Sequence, residues 1–297
     1  MPAQNKSDRF RILLGDDRSE YALAAVELLE DLHFPSGTDV TVFRALAPTQ
    51  ATDLILMEEA LNQTCKRLKK KGLQAKPELL LGSPTSKFLE YAEKQTPDLI
   101  IVGAKGLRAT TGILLGGVAQ QVVEYAACPV LVVRIPYNGL HDILLVTDGS
   151  AASQQTVQFL GRLPLPGSVR LWVMHVLSPP PIPMPGVGMP LGRVPPVLPV
   201  TEEVAALRAK EEQEGQALVD LTIQALQNMG KPARGILRRG DAATEIMAAV
   251  KELAIDLLVT GSRGLSPVRS WLMGSVSRKL VHYSGCSVLV VRGQAQD

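Results

Sequence analysis

The feature that most constrains the fold of this 297-residue chain is an internal repeat. Residues 98–134 and 256–292 align without a gap at an offset of 158, and 16 of the 37 positions are identical. Both copies begin with an Asp before an apolar run and end in Val-Leu-Val-Val-Arg. Because a repeat of this length is one structural unit used twice, the chain must fold as two similar halves.

The beginning of each half also repeats, but with a different offset. Residues 12–16 align with 144–148 at an offset of 132, which predicts an insertion of 26 residues in the second half. Residues 178–199 fit this insertion, since they hold nine of the 21 prolines and a single charged residue. Proline removes backbone donors and fixes φ, so we expect an irregular loop there. Two roles stay open for it: a surface insertion, or a lid or docking strip.

Each half alternates short apolar runs with segments of helical length. In the second half the predicted strands are 142–147, 169–176, 234–238, 256–260 and 287–291, and the helices are 150–163, 202–229, 242–253 and 273–282. The first half has matching strands near 11–15, 40–45, 77–81, 98–102 and 129–133. This alternation predicts a parallel sheet. The predicted fold class is therefore α/β, with two tandem five-stranded, doubly wound domains at residues 1–136 and 137–297.

Composition and charge exclude several classes of protein. Hydrophobic residues make up 46% of the chain and charged residues 20%, which excludes disorder throughout. With 31 basic and 29 acidic residues, the net charge of +2 gives no electrostatic case for nucleic acid or an anionic membrane. Three cysteines without CxxC spacing, apolar runs only of strand length and a polar N-terminus predict a cytoplasmic protein without disulfides, metal, membrane span or signal peptide.

A glycine-rich loop follows the fourth strand of the second half. Gly261 and Gly264 are followed after nine residues by Gly274, which opens the next helix. Glycine lets the backbone approach a ligand closely, and free N–H groups at a helix start bind anions. Four further side chains add positive charge or hydroxyl donors: Arg263, Arg269, Ser275 and Ser277. The spacing favours phosphate binding, although glycine-rich loops also occur for steric reasons alone.

Asp148 follows the first strand of the second half. Ligands of doubly wound sheets bind at the carboxyl ends of the strands, so the carboxylate is placed to accept donors from a base or ribose. The same residue also suits a simple turn before a helix. Residues 261–277 contain no Asp, Glu or His that could hold a metal or a water for hydrolysis. We therefore expect a binding protein with no catalytic residue and at most slow hydrolysis of a bound triphosphate.

The spacing Gly261-x2-Gly264-x9-Gly274-Ser275, with Asp148 after the first strand, resembles the universal stress protein family. The resemblance covers the whole chain as two tandem domains. It implies a Rossmann-like, adenine nucleotide alpha hydrolase-like fold, a stress-response role, and ATP as ligand, alone or with Mg2+. The residues that it places around ATP are Val146, Asp148 and Val176 at the adenosine, Thr260, Gly261, Arg263 and Gly264 at the ribose and phosphates, and Gly274, Ser275, Val276 and Ser277 at the phosphates.

The resemblance also implies how the halves associate. Members of the family usually pair through the last strand, so residues 130–133 and 288–291 are expected to pair within the chain as a pseudo-dimer. A further homodimer stays open, and the sequence identifies no protein partner.

The first half departs from the motif. It keeps glycines at 103, 106 and 116, but Gly117 and Ala119 replace the two hydroxyl residues. The offset of 132 aligns Asp16 with Asp148 and puts Asp17 and Arg18 in place of a glycine and a serine. Two readings stay open: a nucleotide site built on backbone amides, or a scaffold copy.

Two other functions remain as alternatives for the whole chain. One is a nucleotide-independent, pseudo-dimeric scaffold for protein association, against which the intact second-half motif argues. The other is an adenylating enzyme of the PP-loop type. That enzyme needs a second glycine and a later acid in the loop after the first strand, and residues 148–153 lack both.

Overall fold

The computed structural model describes residues 9–47, 54–106, 115–179, 202–264 and 273–292. The strands of the first half are β1 (Arg11–Gly15), β2 (Asp39–Leu46), β3 (Gln74–Leu81), β4 (Leu99–Gly103) and β5 (Val130–Val133). Those of the second half are β6 (Asp142–Val146), β7 (Arg170–Leu177), β8 (Ala233–Arg239), β9 (Leu257–Gly261) and β10 (Ser287–Val291). The helices are α1 (Glu20–Asp31), α2 (Leu54–Lys70), α3 (Pro84–Gln95), α4 (Gly117–Tyr125), α5 (Ala151–Arg162), α6 (Glu202–Asn228), α7 (Ala242–Glu252) and α8 (Ser275–Tyr283).

All these strands join one sheet in the order β3-β2-β1-β4-β5-β10-β9-β6-β7-β8. Neighbouring strands within each half are parallel. The predicted α/β class and the two doubly wound units are confirmed. The central strands of each half are buried on both faces, which explains why they read as continuous apolar runs.

The two halves meet through their last strands. β5 and β10 pair antiparallel, with Leu131 opposite Leu289 at the centre of the register. Every residue of both strands is buried. The expected internal pseudo-dimer is confirmed, and it turns two five-stranded sheets into one.

Helices cover both faces of this sheet. Buried residues of α1, α2, α5 and α6 form one core layer, and those of α3, α4, α7 and α8 form the other. Both layers run across the junction between the halves. On the first face, the backbone N–H of His33 donates to the carbonyl of Pro164 at 2.8 Å, and the hydroxyl of Tyr137 donates to Asp31 at 2.6 Å. The halves therefore share a core.

The strand register corrects the repeat alignment by one residue. Ile12 of β1 pairs with Leu99, and Ile143 of β6 pairs with Leu257. The offset at the start of the halves is therefore 131 rather than 132, and the insertion has 27 residues rather than 26. Residues 180–199, which are most of the proline-rich stretch, lie outside the described residues. The two roles considered for this stretch therefore stay predictions.

Two arginines at equivalent positions each bind the opposite half. Arg134, directly after β5, donates to the carbonyls of Val281 at 2.8 Å and His282 at 3.1 Å, at the end of α8. Arg292, directly after β10, donates to the carbonyl of Val123 at 2.8 Å and to that of Glu124, at the end of α4. The last carbonyls of a helix have no partner within the helix and carry its negative dipole end. Each half thus caps a helix of the other.

Replacing Arg292 with Ala is expected to lower the free energy of unfolding by about 2 kcal/mol, because buried helix carbonyls lose a charged donor. Chemical denaturation measures this change. The control is Arg278→Ala, which removes a half-exposed ion pair with Glu124 at the same junction and should change stability by less than about 1 kcal/mol. Equal effects of the two substitutions would contradict the capping role.

Candidate functional site

The predicted site of the second half lies where β6 and β9 end and α8 begins. Asp148 occupies the loop between β6 and α5, and its Oδ1 accepts a hydrogen bond from the N–H of Ser150 at 3.0 Å. Gly149 between them has φ of 78°, in the left-handed region. Ser150 caps α5 by accepting from the N–H of Ser153 at 3.2 Å. The predicted turn is present, and together with the Ser150 cap it fixes the direction of the Asp148 carboxylate.

The other Asp148 oxygen lies against Gly264. A Cβ at Gly264 would be 2.4 Å from Asp148 Oδ2, which is closer than any real contact. No side chain can therefore occupy position 264 while the carboxylate keeps this place. The structure thus brings together two predicted site residues that are 116 positions apart in the sequence.

The start of α8 presents backbone donors. Gly274 is the N-cap and no side chain caps the helix. The N–H of Gly274 donates to the carbonyl of Ser262 at 2.8 Å, so this group is already used. The next three N–H groups, of residues 275–277, belong to the first turn, where the helix itself offers no acceptor. A helix start of this kind attracts anions.

Two predicted hydroxyl residues stabilise the loop instead of pointing to open solvent. Ser277 is buried, and its Oγ donates to the carbonyl of Gly261 at 2.7 Å. Thr260 is also buried and donates to the same carbonyl at 3.2 Å. The Ser277 bond ties the end of β9 to α8, whereas the Thr260 bond lies within β9. The Ser277 hydroxyl predicted to donate to phosphate is therefore engaged with the backbone, whereas Ser275 is exposed at the helix start.

The remaining predicted residues surround this loop. Val146 is the last residue of β6, and Val176 is the penultimate residue of the adjacent strand β7. Both side chains are partly buried and pack against the second core layer. Arg263 is half-buried beside Gly274, whose Cβ would lie 3.6 Å from the Arg263 Cα. Arg269 lies outside the described residues. Among the described residues, no three His, Cys, Asp or Glu side chains cluster as metal ligands would.

In the first half, the residue that corresponds to Asp148 is Asp17, so the prediction of Asp16 is wrong. A Cβ at Gly106 would be 2.4 Å from Asp17 Oδ2, and Asp17 Oδ1 accepts from the N–H of Ser19 at 3.0 Å. Arg18 takes the left-handed position with φ of 66°. Ser19 caps α1, as the equivalent serine caps α5. The first half therefore keeps the acid and the capping serine as well as the glycines.

A buried ion pair that the sequence did not predict lies beside Asp17. Arg44 and Asp16 lie 3.0 Å apart, with side chains 2% and 7% exposed. The offset of 131 makes Thr147 and His175 their counterparts. His175 Nδ1 lies 2.8 Å from the carbonyl oxygen of Thr147, so this ring has a hydrogen-bond partner within the second half. Aligning the capping serines at 19 and 150 would have given the correct offset of 131, but no sequence spacing marks Arg44 and Asp16 as a buried pair.

Comparison with known proteins agrees with this geometry. A sequence model of the Universal stress protein family matches residues 9–134 and again residues 139–292. The chain belongs to the universal stress protein family. A universal stress protein of Mycolicibacterium smegmatis is 25% identical over 95% of this chain and 97% of its own length. The Bacillus subtilis universal stress protein YxiE is 35% identical over 86 residues.

The chain spans only about three fifths of the length of two curated relatives that it matches. The matched segments span 58% of the Bacillus subtilis protein and 61% of a universal stress protein of Methanocaldococcus jannaschii. Among solved structures, a universal stress protein of Archaeoglobus fulgidus has a TM-score of 0.63 at 20% identity, with 97% of both chains covered. This likeness shows that the tandem universal stress protein fold extends over both halves. Within the described ranges, no helix is both long and apolar enough to cross a membrane.

Replacing Ser277 with Ala is expected to lower the free energy of unfolding by about 1 kcal/mol, since the buried bond to Gly261 is lost. Thermal or urea denaturation tests this. Ser275→Ala is the matched control, because this exposed hydroxyl lies two residues away on the same helix and should leave stability unchanged. A destabilised Ser275→Ala variant would show that the hydroxyl roles are assigned wrongly.

Proposed function

We propose that the second half of this universal stress protein binds ATP and that the bound nucleotide regulates association with a protein partner. The observation that carries the proposal is the contact between Gly264 and Asp148 beside the uncapped start of α8. A nucleotide needs an anion site for its phosphates and, nearby, a hydrogen-bond acceptor for its ribose hydroxyl groups. The second-half crevice combines both.

The phosphates are assigned to the loop and to the start of α8. Position 264 has no side chain, so the backbone can lie directly against a ligand. The N–H groups of residues 275–277 and the positive end of the helix dipole favour a phosphate. The Ser275 hydroxyl and Arg263 add a donor and a positive charge at the same place. The Ser277 hydroxyl stabilises the loop through its hydrogen bond to the Gly261 carbonyl.

The adenosine is assigned to the strand ends. The oriented carboxylate of Asp148 accepts donors from the ribose or base, and Val146 and Val176 supply apolar surface for the ring. Mg2+, where it accompanies ATP, would be held chiefly by phosphate oxygens and water, as is usual for this ion. No catalytic residue is assigned, because the second-half loop offers no acid or histidine to position water.

The proposal is tested first by the nucleotide that the purified chain carries. The chain is purified without added nucleotide and denatured, and the released adenine nucleotides are quantified by chromatography. We expect close to one ATP per chain, lost in Gly264→Glu and kept in Gly106→Glu. No nucleotide, together with no thermal shift in millimolar ATP and magnesium, would overturn the proposal and favour the nucleotide-independent scaffold.

A smaller substitution isolates the close approach at Gly264. Gly264→Ala adds a single Cβ that must displace the Asp148 carboxylate, and we expect ATP affinity to fall by about tenfold or more, as for a loss of 1.4 kcal/mol. Isothermal titration calorimetry measures it. Gly285→Ala is the control, because a Cβ there meets nothing within 4 Å. Unchanged affinity in Gly264→Ala would show that the loop does not contact the nucleotide.

The acceptor role of Asp148 is tested by Asp148→Asn. The amide oxygen can still accept from the Ser150 N–H, so the turn should persist and the melting temperature should stay near that of the parent. We expect about a tenfold loss of ATP affinity, because one oxygen of a charged acceptor is replaced by a donor group. If the variant binds ATP as tightly as the parent does, Asp148 is not an acceptor for the nucleotide.

A further inference from the structure

The first-half crevice contains a cavity of about 420 Å3 at the carboxyl edge of its half of the sheet. This volume is within the range of small-molecule sites. Phe43, Met57 and Phe88 give it apolar walls, and Gly116 and Gly117 bring in the start of α4. No side chain caps α4, and a Cβ at Gly117 would meet nothing within 4 Å. The cavity therefore joins an apolar chamber to an anion-attracting helix start.

A buried, charged side chain belongs to the lining of this cavity. Arg44 lines it, although the side chain is only 2% exposed. Its Nε donates to the backbone carbonyl of Asp16 at 2.6 Å, and its Nη2 donates to Asp16 Oδ1 at 3.0 Å. Thr64 of α2 donates to the other carboxylate oxygen at 2.7 Å. Asp16 thus holds one edge of the guanidinium and neutralises its charge.

The other end of the guanidinium has a poor acceptor. Nη1 lies 3.4 Å from the sulfur of Met57, and a thioether is a weak hydrogen-bond acceptor. Met57 lines the same cavity. A buried donor that lacks a good acceptor destabilises a protein, so a ligand oxygen or ring nitrogen at this point would gain a strong hydrogen bond.

The second half has different residues at the positions of Asp16, Arg44 and Met57. Thr147 and His175 replace Asp16 and Arg44, and His175 lies against the Thr147 carbonyl. On the covering helix, Gly215 of α6 replaces Met57, and its Cβ would be 3.2 Å from the His175 ring. The exchange of three contacting residues together indicates that the two crevices recognise different groups at this end.

We propose that the first-half crevice is a second nucleotide site, selective for a guanine base that Arg44 recognises. Since Asp16 neutralises Arg44, a neutral acceptor suits this position better than a second anion does. The O6 and N7 atoms of guanine are a pair of acceptors that match a guanidinium, whereas adenine presents an amino donor where guanine has O6. The phosphates would face Lys105 and the first N–H groups of α4. This inference concerns the first half and does not depend on ATP binding in the second.

The test uses the full chain with the second site blocked by Gly264→Glu. Titration calorimetry with GTP, ITP and ATP compares the bases at equal charge. We expect one site per chain for GTP and ITP, each binding about tenfold or more tightly than ATP, because ITP shares O6 and N7 with guanine. Preference for ATP, or no binding of GTP and ITP, would overturn the inference without bearing on the second half.

The role of Arg44 is tested by giving the first half the residues of the second. In Asp16→Thr/Arg44→His, on the Gly264→Glu background, the preference for GTP over ATP should fall to about twofold or less. Lys105→Ala is the matched control, since Lys105 lines the same cavity and is placed at the phosphates, so it should weaken all three nucleotides alike and leave their ratio unchanged. A GTP preference that survives the double substitution would exclude Arg44 as the selective residue. The comparison of ITP with ATP stands even if the double variant does not fold.

Discussion

The antiparallel pairing of β5 with β10 is the interaction on which the rest of the structure depends. Both strands are buried along their whole length and are apolar except for Ser287, so neither half could expose its strand to water without a large loss of hydrophobic free energy. The pairing also removes the two sheet edges that would otherwise be open to other chains. Arg134 and Arg292 fix its geometry by capping helices across the junction.

The same design gives two crevices with a common frame and different contents. In both, an acid after the first strand lies against the second glycine of the loop, and a serine two residues later caps the next helix. These contacts come from turn chemistry and close packing, so they persist in the half whose motif has lost its hydroxyl groups. The variable part is the pair of residues beside this frame. It is Asp16 and Arg44 in the first half, and Thr147 and His175 at the corresponding positions of the second half.

Much of this could be predicted from the sequence, because the repeat, the apolar periodicity and the glycine spacing each constrain the fold separately. The alignment of Asp16 with Asp148 failed for a physical reason. Two adjacent acids follow β1, and only the strand register and the capping Ser19 decide which one faces Gly106. Ser277 was expected to face a ligand, but burial of the Gly261 carbonyl requires a donor there. Arg44 gave no signal, since its partner Asp16 is 28 residues away and nothing in the spacing marks a buried pair.

The antiparallel junction has a mechanical consequence. Because the strands of the two halves run in opposite directions, their carboxyl edges open on opposite sides of the molecule, so ligands in the two crevices cannot touch. Each half nevertheless contacts the helix that begins at the crevice of the other half. α4 begins at the first crevice and ends, nine residues and roughly 13 Å later, at carbonyls held by Arg292, and α8 does the same with Arg134. An axial shift of either helix would therefore reach the opposite half through these arginine contacts.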